Sequence, residues 1–186
     1  MQTLGLSEST PRTENRMKSL FWPSIQTGSD VDYLGTQGYW VCVFVSVISF
    51  VTSLAITPLG AFLSLLYFFF GGIGVRERDR YAAAVVFVLF FINMTLVGPG
   101  VVNVLLSALL LSNVRATWIA QSWNPGSEDA VLPARMGDTW PDKFADKLPA
   151  WLWPKISYAY YVFSAVVLLF SIIGAVAFRL HQLKTP

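Results

Sequence analysis

The chain has 186 residues, of which 54% are hydrophobic and only 13% charged, and its formal charge is +2. A soluble domain carries about 25% charged residues, and here the deficit is concentrated: long uncharged runs alternate with short charged segments. With a mean hydropathy of +0.54, that distribution argues against a compact soluble fold and for a bilayer, where ionised groups are costly; the mild basic balance gives no basis for nucleic-acid binding.

Residues 1–35 read as a polar, disordered tail, because MQTLGLSESTPRTENRMKS has little to bury. Trp22, flanked by Phe21 and Pro23, is expected to anchor at the head-group level. Residues 1–20 show no apolar central region of a signal peptide, so the first span is expected to direct insertion itself.

The membrane domain is expected over 36–178. The chain is apolar from Tyr39 to Val75. One helix of that length would run about 55 Å, against a hydrocarbon core of about 30 Å. Thr57-Pro58 is the natural break, since proline removes a backbone donor. That gives spans at 39–56 and 59–75, then the charged loop RERDR at 76–80. Tyr81 to Val114 is again too long for one crossing, and VGPGV supplies a turn. Spans follow at 81–97 and 100–117.

Residues 118–155 form a polar, tryptophan-rich loop containing Trp118, Trp123, Trp140, Trp151 and Trp153. Trp118, Trp140, Trp151 and Trp153 are expected to be interface anchors. Pro141 opens DKFADKL and Pro149 closes it, which predicts a short helix lying along the membrane surface. The last span is expected at 156–178, with a tail at 179–186. The fold class is therefore an all-α membrane bundle of about five helices. With the N-terminus cytoplasmic, all the basic residues before Arg179 fall on the inner side, as the positive-inside rule favours.

No expected span contains an internal Asp, Glu, Lys, Arg or His, which argues against a proton relay within one protomer. One Cys and one His cannot make a zinc-type cluster. GGIG at 71–74 lacks the spacing of a phosphate-binding loop and reads as close helix packing. Glu128, Asp129, Asp138, Asp142 and Asp146 alternate with Arg135, Lys143 and Lys147, so a solvated, self-neutralising surface is the expectation. Asn93-Met94-Thr95 matches a glycosylation sequon but lies inside a span. No catalytic, cofactor-binding or metal-binding residue is expected, and no cofactor.

The polar residues inside the spans speak of packing. Ser46, Ser49 and Ser53 follow Cys42 at spacings that put small side chains on one face, where another helix can approach. Asn93 and Asn103 flank the Gly98–Gly100 turn at similar depth and are expected to face the interior and bond each other. With Thr95 and Ser107 they could instead line a polar path.

RERDRYAA, followed by a hairpin and NVLLSALLLSNVRATW, resembles a broad class of uncharacterised small multi-pass bacterial inner-membrane proteins, in which two apolar hairpins flank an Arg-rich elbow. The likeness covers about 40–118. It implies a bacterial inner membrane and carries over no activity, cofactor or catalytic residue. The expectation is thus a non-enzymatic accessory or interaction component, in contact with lipid and with copies of itself or another membrane protein. The alternative is a subunit of an oligomeric transporter or channel.

Overall fold

The computed structural model of the chain describes residues 16–55, 57–98, 100–122 and 140–184. Every described element is an α-helix: α1 (Arg16–Phe21), α2 (Gly28–Leu54), α3 (Pro58–Arg76), α4 (Arg80–Val97), α5 (Val101–Ser122) and α6 (Trp140–Lys184).

The helix ends follow local chemistry. α2 opens on a capping box: the Thr27 hydroxyl accepts from the Asp30 N–H, and the Asp30 carboxylate accepts from the Thr27 N–H at 3.1 Å. α3 begins with Pro58 at a position where its missing N–H costs nothing. α4 is capped by Asp79, whose carboxylate accepts from the N–H groups of Tyr81 and Ala82. Gly98, at φ +111°, ends α4 in a conformation that suits glycine.

α2, α3, α5 and α6 are long and apolar enough to cross a membrane, while α4 is apolar over the shorter stretch Arg80–Thr95. Connectivity supplies α4's path. α3 ends at Arg76, beside the first turns of α2, and α5 carries Arg115 to the Pro23 carbonyl at 2.9 Å. Both therefore finish at the end where α2 starts, so α4 must run away from it. Ser107 of α5, at 3.5 Å from the Met94 sulfur, marks the partnership of α4 with α5. α2 packs on α3 and α5, α4 joins α3 to α5, and α6 lies against α3 and α4. The chain is an all-α membrane bundle.

The core is densest where α3 passes its neighbours on glycine. A Cβ at Gly72 would stand 2.7 Å from Cys42 Cβ on α2. At Gly71 it would meet Val86 of α4 at 2.4 Å and the Tyr160 hydroxyl of α6 at 2.5 Å, and at Gly74 it would meet Trp153 at 2.5 Å and Ala82 at 2.6 Å. GGIG is the point where four helices touch, and any side chain there would hold them apart.

Four boundaries differ from the sequence expectation, the last being the end of α6, which runs to Lys184 rather than stopping at 178 before a tail. The tail expected to 35 gives way to helix at Gly28, because the capping box starts α2 there and Val31 and Leu34 are buried. α5 continues to Ser122. The separate surface helix at 142–148 is instead the first part of α6, which runs through Pro149 and Pro154 without a break. Packing decides this: Ala145 and Trp153 belong to the core, so the segment is held against the bundle. Residues 1–15 and 123–139, including Trp123, Glu128, Asp129, Arg135 and Asp138, lie outside the described residues.

Candidate functional site

Charge gathers at one end of the bundle, where α2 and α6 begin, α3 and α5 finish and α4 starts. Its centre is Arg76, the last residue of α3, whose side chain is 3% exposed. A guanidinium keeps its charge in any protein setting, so burying it requires partners. Arg76 Nη1 donates to Asp32 Oδ1 at 2.8 Å and to the Asp32 carbonyl at 3.3 Å. Its Nε donates to Asp146 Oδ1 at 3.0 Å, and its Nη2 also reaches that carboxylate. Asp32 accepts in addition from Arg78 Nη2. Two arginines face two aspartates, and α2, α3 and α6 are tied together by a cluster of balanced charge.

The loop that carries these arginines is itself constrained. The Asp79 N–H donates to the Gly74 carbonyl and the Arg78 N–H to the Val75 carbonyl, both at 3.0 Å. This is a Schellman ending for α3. It places Arg78 at φ +61°, a position glycine usually fills. Asp79 then serves two helices, since beyond capping α4 it accepts from Trp153 Nε1 of α6 at 3.3 Å. On the other flank, Asn113 of α5 is buried and donates from Nδ2 to the Leu34 carbonyl of α2 at 3.1 Å.

Around this centre stands a ring of aromatic–cation pairs. The Arg115 guanidinium lies 4.9 Å from the Trp22 ring, Arg80 lies 4.6 Å from Tyr81 and 5.9 Å from Trp118, and the Lys155 ammonium lies 4.1 Å from Trp151. These rings are exposed.

The residues singled out from sequence are dispersed. Ser46 is buried and donates to the Leu65 carbonyl at 3.2 Å, so it seals α2 on α3. Ser49 and Ser53 are half-buried further along α2. Ser107 is buried on the α4 side of α5. The expected pairing of Asn93 with Asn103 does not occur. Asn93 is exposed near the Gly98 end of α4, although Leu89 and Phe90, one turn before it, are buried, and the Asn103 amide turns back toward Gly100. Trp22, Trp118, Trp140 and Trp151 are exposed, as an interface position requires, but Trp153 is 6% exposed and fills the space over Gly74. Asp146, expected on a solvated surface, is a partner of Arg76.

Sequence reading missed Asp32, Arg76, Arg78, Asp79 and Asn113. One signal was available: TGSD at 27–30 announces a helix start, which places Asp32 within the bundle rather than in a tail. Chemically, the cluster fastens helices. Its acids are engaged by arginines or by helix N–H groups, and among the described residues no group of three or more His, Cys, Asp or Glu could hold a metal ion.

Fold and site together define the class: an all-helical membrane bundle clamped at one end by buried ion pairs. The chain matches no protein-family model, and comparison with curated proteins and with solved structures returns no match.

Proposed function

We propose that the protein is a non-enzymatic component of a bacterial inner membrane, its N-terminus cytoplasmic, which associates with copies of itself or with another membrane protein through the exposed end of α4 that carries Asn93. The observation that carries this reading is Asn93. An amide left exposed near the Gly98 end of an apolar helix, one turn beyond the buried Leu89 and Phe90, lacks a partner among the described residues, and a neighbouring helix can satisfy it. The commitment of the interior acids to ion pairs and caps supports a structural rather than a catalytic role. The basic, aromatic end of the bundle supports a cytoplasmic placement by the positive-inside rule.

Asn93 also favours a second reading, a subunit of an oligomeric transporter or channel. Copies meeting at α4 would bring several amides around one axis.

The test is cross-linking in native membranes. Asn93→Cys is expected to give a disulfide-linked or bis-maleimide-linked species, and Asn93→Leu to weaken the association roughly threefold to tenfold, as loss of an intramembrane hydrogen bond of about 1 kcal/mol implies. Cys42 is buried and gives no background. A chain that stays monomeric with either side chain refutes the association; solute flux in liposomes that disappears with Asn93→Leu selects the second reading.

A further inference from the structure

We propose that the groove between α3 and α6 is a binding site for an anionic phospholipid, with the head group on Lys155 and Trp151 and an acyl chain between the helices. The groove has a volume of about 250 Å³ and wholly apolar walls, including Leu63, Leu66 and Phe70 of α3 and Ile156, Ala159 and Phe163 of α6. It opens on the outer surface of the bundle, where lipid tails lie.

What selects a lipid over another helix is the charge at its mouth. Trp151, Lys155, Ala159 and Phe163 recur every fourth residue, so they form one stripe along α6. The lower half of that stripe lines the groove. The upper half is an exposed ammonium 4.1 Å from an exposed indole ring. Side chains on a helix lean toward its N-terminus, and Lys155 does so by reaching back over Trp151. Its charge is thereby carried toward the charged end of the bundle and away from the apolar walls. A cation and an indole at head-group depth, one turn above an apolar slot, match the two ends of a negatively charged phospholipid. Arg80 and Arg115 have aromatic partners too, but the Lys155 stripe is the one that continues into the groove.

The test uses the full chain in mild detergent, with phosphatidylglycerol or phosphatidylcholine added and retained lipid counted by native mass spectrometry. Phosphatidylglycerol is expected to be retained in preference. Lys155→Gln is expected to lower its retention roughly fivefold, the factor for one cation at an anionic surface, and Lys147→Gln, an exposed lysine on the same helix, to leave it unchanged. Ala159→Phe, which fills the slot, is expected to lower retention of both lipids, and soluble glycerol phosphate in excess to displace neither. Equal retention by Lys155→Gln and the wild type overturns the proposal, as does an equal loss in Lys147→Gln. If Ala159→Phe breaks a dimer without changing lipid retention, the groove holds a second copy and the lipid assignment fails. Because all three substitutions lie on α6 and none touches Asn93, the outcome is independent of association through α4.

Discussion

Arg78 shows how a single residue can be held in two opposing ways. Its backbone occupies a left-handed position that a side chain disfavours, and its guanidinium supplies an ion pair to Asp32 that only a side chain can make. The two effects separate on substitution. Arg78→Ala loses the ion pair and keeps the backbone cost. Arg78→Gly loses the same ion pair but removes that cost, which is about 1 kcal/mol. We expect Arg78→Gly to be the more stable of the two by about that amount, measured as the midpoint of unfolding in a denaturing detergent titration. Equal midpoints would mean that the loop relaxes out of its left-handed turn once the arginine is gone. The neighbouring Arg76 has no such freedom, because its charge is buried whatever the loop does.

At the scale of elements, α6 is the helix whose attachment is most local. Its first part is held by Asp146 on Arg76, by Trp153 over Gly74 and by the Trp153 bond to Asp79. Further along, Val162, Val166, Leu169, Phe170 and Ile173 are exposed. Asp146→Ala should therefore loosen the first part of α6 selectively. Hydrogen exchange at 143–153 is expected to quicken by about tenfold or more, the loss of a charge-assisted bond of about 1.5–3 kcal/mol, with α2 and α3 unchanged. Asp32→Ala should cost more, since Asp32 accepts from both Arg76 and Arg78, and removing it leaves a buried guanidinium with one carboxylate partner. Uniform acceleration across all helices in Asp146→Ala would mean that the bundle opens as one unit. How much of this was readable beforehand varied by element. The turns at Pro58 and at Gly98–Gly100 stood out because proline and glycine act on the backbone locally. The course of α6 did not, because Pro149 and Pro154 read as breaks and only burial of Ala145 and Trp153 shows why the helix continues. The pairing of Asp146 with Arg76 joins residues distant in sequence, and no spacing rule connects them. Asn93 keeps the phase of buried Leu89 and Phe90, but packing stops before it, and sequence spacing gives no sign of where that happens.

For the whole molecule, the distribution of charge and the path of the helices make one joint statement about topology. Arg76, Arg78, Arg80, Arg115 and Lys155 all lie at one end of the bundle, although they come from α3, α4, α5, α6 and the loop between α3 and α4. Thr57 and Gly100 lie at the other. If the charged end faces the cytoplasm, a cysteine at Ser122, exposed at the close of α5, and one at Thr57, exposed before α3, must be labelled from opposite sides. In intact cells, an impermeant maleimide should reach Thr57→Cys and not Ser122→Cys, and in inverted vesicles the preference should reverse. Gly100→Cys should follow Thr57→Cys, and this third position separates two architectures. Were α4 to return without crossing, Gly100 would lie on the side opposite Thr57, and α5, crossing from there, would have no way to end beside Pro23. Labelling of all three positions from one side would therefore remove not only the orientation but the up-and-down order on which the Arg76 cluster depends.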